Sequence, residues 1–277
     1  MKFTALLGSE VRRLLARRVV RWGAVAALAI VMLVVVVATL RSTGIGVGDH
    51  TMRLSQLWTR GDSGKVQSLL LAMSVYLFIL VVGVAATAVG GDYRAGTMGT
   101  LLTWEPRRTR VASARIGAVT LVALGLYVVT LGAFVGGWAL GASLRGSTAH
   151  LAPNFWPEVA ASFGRAALGS VLLAVITAGL ALVTRGTVGA VITWLGYLIG
   201  VEAVLGLRVR SLQPGLLLGN FIAFVQGSDV HFPSAFRADG STVERIAQPG
   251  PGLIRCVVVA VVLAGLGILA FRRRDVA

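Results

Sequence analysis

The residues of this chain best placed to do chemistry form a short polar segment between two long apolar runs. In this segment Asp92 follows two glycines, and Glu105 precedes Pro106. A carboxylate at the start of a helix accepts the free amides of the first turn, and proline disfavours helical geometry at the residue before it. The pattern therefore predicts a short helix over residues 92–105. An arginine-rich run, 107–110, follows it, and a capped helix with a basic exit suits a groove on a soluble partner.

Two charges in or near the apolar runs form the second polar feature. Glu202 lies within an apolar run, where a charge is energetically costly if the run crosses a membrane. Arg165 lies near the start of the preceding run, which is the outer end of that predicted span. A tight turn at Arg185 joins the two runs. The two residues lie about 30 Å and 26 Å from that turn at 1.5 Å per helical residue, so their depths nearly match. We predict either an intramembrane pair between them or an outer water-filled vestibule that Glu202 faces unpaired.

The sequence contains no motif for catalysis or for nucleotide binding. His-Glu-x-x-His and Gly-x-Ser-x-Gly are missing, and Glu202 has no second acid within the apolar runs. The phosphate-binding loop needs Gly-Lys before Ser or Thr, whereas Gly64-Lys65 is followed by Val66. The three histidines lie in three different polar stretches. We therefore expect no enzyme activity, and no metal or cofactor held by this chain.

The apolar composition of the chain indicates which kind of secondary structure carries these residues. Hydrophobic residues make up 56% of the 277 residues, charged residues make up 13%, and the mean hydropathy is +0.83. Soluble chains have about 25% charged residues, and disorder requires low hydrophobicity. The composition predicts an all-α polytopic membrane protein with a single transmembrane domain over residues 1–277.

Six apolar runs are long enough to cross a hydrocarbon core of about 30 Å. The predicted transmembrane helices cover residues 22–40, 69–90, 116–140, 159–183, 188–207 and 253–271. Residues 1–21 predict an amphipathic helix in the headgroup layer, which either only anchors the first span or also takes part in gating or coupling. The outer loop 208–252 contains a shorter apolar run at 216–225, which predicts one or two short interfacial or re-entrant helices.

The positions of the cations predict the orientation of the chain. If both termini lie in the cytoplasm, the inside segments hold 15 Lys and Arg residues, and the longer outside segments hold nine. This contrast follows the cationic bias of cytoplasmic loops. The formal net charge of +15 is therefore interpreted as an orientation signal. We expect membrane lipid, and no nucleic acid, as a partner.

The polar segment resembles the cytoplasmic loop of ABC-2 type transporter permeases. In that family an acidic residue and an aromatic lead into Gly-Thr, an apolar pair and Pro-x-Arg, and a cation opens the next span. The matching residues here are Asp92, Tyr93, Gly96, Thr97, Leu101, Leu102, Pro106, Arg108 and Arg115. Residues 6–13 are similar to the entry segment of that family. The acidic residue is an aspartate here, where glutamate is usual.

The resemblance implies a permease subunit that contains no ATPase domain. A separate ATP-binding subunit, which carries ATP and Mg²⁺, would dock on this loop, and two permease copies, identical or different, would form the exporter. The implied coupling surface consists of Asp92, Tyr93, Arg94, Gly96, Thr97, Leu101, Leu102, Pro106, Arg107 and Arg108. Alternating access would move an amphipathic drug, peptide or lipid-like substrate across a bacterial plasma membrane. The alternative is an ion- or proton-coupled secondary transporter that uses Glu202.

Overall fold

The protein is an all-α bundle with two small pairs of strands. The structure, a computed structural model, describes residues 2–42, 51–57, 69–97, 103, 106–149, 151–236 and 242–273. Its main helices are α1 (Phe3–Ala16), α2 (Arg18–Arg41), α3 (Leu69–Arg94), α4 (Arg108–Arg145), α5 (Phe155–Thr184), α6 (Thr187–Gly196), α7 (Leu217–Gln226) and α8 (Pro249–Arg273). Beyond α6 the chain continues as a π-helix (Tyr197–Leu205), a short α-helical turn (Gly206–Arg208) and a 3₁₀-helix (Arg210–Gly215).

Six helical stretches within the described residues are long and apolar enough to cross a membrane, which confirms the prediction of a multi-pass membrane protein. They are α2, α3, α4, α5, the stretch Thr187–Val204 and α8. Most of them extend past the predicted spans; α4, for example, runs from Arg108 to Arg145 where the apolar run predicts 116–140. Hydropathy marks only the part that fits the hydrocarbon core, whereas backbone hydrogen bonds continue through the polar flanks.

The antiparallel order of these helices gives the bundle two ends. One end, which we call the α1 face, holds α1, the end of α3, the start of α4 and the turn at Arg185 between α5 and α6. The other end, the hairpin face, holds α7 and the remaining loops. Between the two ends α5 lies at the centre of the bundle, in contact with α3, α4 and α8, and it is the most buried of the six spans.

Two pairs of strands, which the sequence analysis did not predict, lie on the hairpin face. β1 (Met52–Arg53) pairs in parallel with β2 (Gly146–Ser147), and β3 (Val230–Phe236) pairs antiparallel with β4 (Thr242–Ala247). The second pair belongs to the loop for which only short helices were predicted. β4 reads Thr-Val-Glu-Arg-Ile-Ala, which does not alternate strictly between polar and apolar residues, so the sequence carried no clear signal for a strand there.

The first helix is amphipathic, as predicted, but it is shorter and its inner side differs. α1 ends at Ala16, and Arg17 adopts an extended conformation that separates it from α2. The side that packs against α4 buries Leu6 and Leu14 together with an acidic residue, Glu10. A buried carboxylate requires a charged or hydrogen-bonding partner, and those partners form the first functional site.

Candidate functional site

Among the described residues, five charged side chains from α1, the break after it, α3 and α4 meet on the α1 face. Glu10, Arg13 and Arg17 come from the first 17 residues, Asp92 from the last turn of α3, and Arg115 from the first turns of α4. We call this group the ion cluster. It contains three guanidinium groups and two carboxylates, which gives it a formal charge of +1.

Asp92 is the centre of the ion cluster. Its Oδ2 accepts a hydrogen bond of 2.8 Å from Arg13 and lies 2.5 Å from Nη2 of Arg115. Its Oδ1 pairs with Arg17. The side chains of Asp92 and Arg115 are only 6% and 2% exposed, so this part of the cluster is shielded from solvent. Ion pairs that are removed from water in this way depend strongly on every partner being present.

Glu10 and Arg17 make the remaining contacts of the ion cluster, to side chains of α1 and α4 and to the backbone of α3. Glu10 accepts a 2.6 Å hydrogen bond from Arg13, one helical turn later, and lies 3.6 Å from Nε of Arg115. Arg17 also donates to the carbonyl oxygens of Thr87 and Ala88, at 3.2 and 3.0 Å. Because Arg17 sits at the break after α1, the side chain can reach the end of α3. A cation is favourable there, since the helix dipole is negative at that end.

The prediction that a helix begins at Asp92 is wrong. Asp92 lies in the last turn of α3, which runs to Arg94, and a turn with a positive φ of 65° at Gly96 follows it. An acidic residue near a helix C-terminus is unfavourable by itself, and here three arginines offset that cost. The hydroxyl of Thr97 reaches back to Asp92 at 3.4 Å.

The structure divides the predicted coupling surface into a buried part and an exposed part. Asp92 is buried, and Tyr93 is half-buried, with its ring at 6.5 Å from that of Phe271 in an edge-to-face contact. Five residues of the predicted set are exposed: Arg94, Gly96, Thr97, Pro106 and Arg107. Arg108 is half-buried, and Leu101 and Leu102 lie outside the described residues. These exposed residues lie on both sides of residues 98–105, close in sequence to Asp92 of the ion cluster.

The second predicted site, the pair of Arg165 and Glu202, has a different arrangement. Among the described contacts the two side chains do not bond to each other, and both reach α7 instead. Arg165 donates to the carbonyl oxygens of Val225 and Gln226, at 3.4 and 3.3 Å, at the C-terminal end of α7. It is held in that direction by a 2.9 Å hydrogen bond to the hydroxyl of Ser162.

Glu202 binds the opposite end of the same helix. Its Oε1 accepts hydrogen bonds of 2.7 Å from the amide of Leu218 and from the hydroxyl of Tyr197. That hydroxyl in turn accepts a 2.9 Å hydrogen bond from the amide of Leu217. An acid at the N-terminus and a base at the C-terminus both suit the dipole of a helix. The sequence predicted similar depths for Arg165 and Glu202, and the structure shows that they contact opposite ends of one short helix, α7.

A third contact holds the flank of α7. Arg255 of α8 donates to the carbonyl oxygen of Pro214 at 2.5 Å and to Oδ1 of Asn220 at 2.9 Å. The buried amide group of Asn220 also donates to the carbonyl oxygens of Pro214 and Leu216. α7 is therefore tied to α5, α6 and α8, and we call Arg165, Glu202 and Arg255 the helix clamp.

Replacing Arg165 with Met is expected to loosen the C-terminal end of α7. The change removes charge-assisted hydrogen bonds to two helix-end carbonyls and a favourable dipole interaction, which together contribute about 1–2 kcal/mol. Hydrogen–deuterium exchange of the purified protein should therefore become roughly tenfold faster at the end of α7. Arg145→Met, on the same face and exposed, is the matched control and should leave that exchange unchanged. Equal exchange in the Arg165 variant and the wild type would contradict the clamp.

The two sites consist of ion pairs and helix caps. Within the described ranges, no three side chains of His, Cys, Asp or Glu come together to hold a metal ion. The sequence missed the roles of Glu10, Arg13 and Arg17, since Asp92 and Arg115, to which they are tied, lie on other helices. No family model matches the chain, and no curated protein matches it either.

Proposed function

We propose that this chain is the membrane-spanning permease subunit of an ATP-driven ABC-2 type exporter. In this proposal the α1 face lies in the cytoplasm of a bacterial cell, so both termini are cytoplasmic and the chain spans the plasma membrane. A separate subunit binds ATP and Mg²⁺ and hydrolyses the nucleotide. Two permease copies, identical or different, form the complete exporter, which moves an amphipathic substrate by alternating access.

The observation that carries the proposal is the ion cluster at the base of the polar segment. It links α1, the end of α3 and the start of α4 through Asp92 and Arg115, the residues that flank the segment on its two sides. A force applied to the segment therefore acts on three helices at once. Packed elements of this kind move as rigid bodies, which is how a partner's motion would tilt the spans.

The exposed charges beside the cluster support a docking surface for a protein partner. Arg94 and Arg107 are exposed at the two ends of the segment, next to Gly96, Thr97 and Pro106. A basic surface favours a partner with an acidic groove, because complementary charge speeds and orients association. In this proposal Asp92 is an internal anchor of the segment and not a docking contact, since its carboxylate is buried.

Charge reversal at Arg107 and Arg108 is expected to uncouple the permease from its ATPase subunit. The double change to Glu places two negative charges opposite the acidic groove proposed for the partner. Like charges that face each other across an interface cost several kcal/mol. Co-purification with the ATPase subunit and substrate-stimulated ATP hydrolysis should both fall by tenfold or more. The control is Arg272→Glu with Arg273→Glu, which makes the same charge change at exposed positions on the same face.

Two results would contradict the proposal. One is a wild-type chain that binds no ATPase subunit in cells that express both. The other is transport that continues without any ATPase subunit and stops when a protonophore removes the proton gradient. The second result would instead favour a proton-coupled secondary transporter that uses Glu202.

A further inference from the structure

A large apolar cavity lies beside α7, and neither the ion cluster nor the helix clamp accounts for it. It has a volume of about 670 Å³, is bordered by α3, α5, α6 with the π-helix that follows it, and α7, and is open on the side where Ile79 and Leu195 are exposed. Ligand pockets in proteins have volumes of about 300–1,000 Å³ and walls that are mostly apolar and aromatic. The cavity therefore has the size and the wall of a site for an organic molecule.

The described side chains in the wall of the cavity offer a ligand no spare hydrogen-bonding group. In the part that the structure describes, its polar side-chain atoms belong to Trp194 and Tyr197. The indole of Trp194 donates to the hydroxyl of Thr177 at 3.0 Å, and the hydroxyl of Tyr197 bonds to Glu202 and to the amide of Leu217. A polar ligand would lose its hydrogen bonds to water and gain none from these side chains, which is unfavourable.

Aromatic rings give the wall a preference for positive charge. Phe78, Trp194, Tyr197 and Phe221 all line the cavity, and the rings of Phe78 and Phe221 meet edge to face at 4.9 Å. The face of an aromatic ring attracts a cation, and aromatic cages are the usual means of recognising quaternary ammonium groups.

A carboxylate lies behind the wall of the same cavity: Glu202 bonds to lining residues but does not itself line the cavity. Glu202 bonds directly to two residues of the wall, Tyr197 and Leu218, and both hydrogen bonds use the same oxygen, Oε1. Arg165 bonds to α7 and not to Glu202 among the described contacts. A half-buried negative charge within a span is costly, and a cation in the cavity would reduce that cost.

We propose that this cavity binds an amphipathic organic cation. The apolar body of the ligand fills the space between α3 and α6, and its positive charge lies between the aromatic rings and the carboxylate of Glu202. The inference names the substrate class of the exporter proposed above and rests on that function only for transport. Binding itself needs the cavity and Glu202 alone, so it can be tested without an ATPase subunit.

The first test measures binding of tetraphenylphosphonium to the purified protein in lipid nanodiscs. The wild type should bind it saturably, and it should bind tetraphenylborate, an anion of the same shape, at least tenfold more weakly. Glu202→Gln should weaken tetraphenylphosphonium binding about tenfold, because one Coulomb attraction at intermediate distance is lost. The Gln side chain keeps an oxygen for the amide of Leu218, so α7 stays capped. Glu158→Gln removes an acid in the first turn of α5, 15 residues before Leu173, the first residue of α5 in the wall, and should change nothing.

The second test fills the cavity. Gly83 lines it, and a Cβ added there would meet no atom within 4 Å, so the side chain in Gly83→Leu can extend into the open space of the cavity and occupy it. Saturable tetraphenylphosphonium binding should then fall at least tenfold. Gly125 of α4 is exposed and equally open, and Gly125→Leu should bind like the wild type.

Several outcomes would overturn the inference. These are the absence of saturable binding, equal affinity for the cation and the anion, or unchanged affinity in both the Glu202 and the Gly83 variants. A second copy of the chain that covers the cavity, or a lipid that tetraphenylphosphonium does not displace, would likewise give no saturable binding. Cation binding without any associated ATPase subunit would leave this inference standing while the exporter proposal failed, and an associated ATPase with no cation binding would give the reverse.

Discussion

Replacing Asp92 with Asn is expected to destabilise the protein by about 3–5 kcal/mol, because it leaves buried arginines without their main counter-charge. Within the ion cluster, three guanidinium groups would then share one carboxylate, that of Glu10, and the formal charge of the cluster would rise from +1 to +2. The side chain of Arg115 is only 2% exposed, so it cannot turn towards water to relieve the uncompensated charge. Thermal unfolding of the purified protein in detergent, followed by tryptophan fluorescence, measures the loss.

Removing a cation from the same cluster should have a much smaller effect. Arg13→Gln leaves two guanidinium groups with two carboxylates, and the side chain of Arg13 is 34% exposed, so the expected loss is about 1 kcal/mol. Adding Arg115→Gln to the Asp92 variant should recover part of the stability, since it removes the most buried uncompensated charge. Equal losses from Asp92→Asn and Arg13→Gln, without any recovery in the double variant, would show that the cluster is not organised around Asp92.

The sequence predicted the spans because their signal is local. A run of about 20 apolar residues identifies a membrane helix whatever surrounds it, since the backbone in lipid must satisfy its own hydrogen bonds. The amphipathic pattern of α1 is equally local. Neither signal depends on which helices become neighbours, so both could be interpreted from one chain.

The role of Asp92 could not be predicted in the same way. Its partners Arg13 and Arg17 lie 79 and 75 residues earlier in the chain. Locally, an aspartate after two glycines looks like a helix cap, and that local pattern suggested the start of a new helix. The tertiary ion pairs instead stabilise it at the end of α3. The segment itself was recognisable from residue types, whereas its anchoring depends on contacts between helices.

Arg165 and Glu202 show what counting residues along two helices can and cannot predict. The count along two antiparallel helices gave similar depths, which is consistent with both residues contacting the short helix α7. Depth does not give the direction of a side chain around the helix axis, nor does it reveal a third element inserted from a later loop. The apolar run at 216–225 predicted a short helix, and α7 is that helix. That Glu202 and Arg165, on neighbouring spans, bind its two ends was visible only in the structure.

A close contact between α3 and the start of α6 lies on the α1 face. A side chain added at Gly90 would lie under 3.0 Å from backbone atoms of Gly186 and Thr187. The hydroxyl of Thr187 also donates to the carbonyl oxygen of Ala86 at 3.3 Å. Backbone atoms cannot move aside as a flexible side chain can. α3 and α6 can therefore approach this closely only because residue 90 has no side chain.

Gly90→Ala is expected to destabilise the protein by about 3 kcal/mol or more, because the added methyl group must push the end of α3 away from α6. Helix propensity alone predicts the opposite, since alanine in a helix interior is favoured over glycine by about 1 kcal/mol. Gly83→Ala on the same helix meets no atom within 4 Å and should follow propensity, with equal or slightly higher stability. Thermal unfolding of both variants in detergent therefore separates packing from propensity. If both substitutions stabilised the protein, α3 would not meet α6 at Gly90, and the rigid connection between the polar segment and the spans would lack this contact.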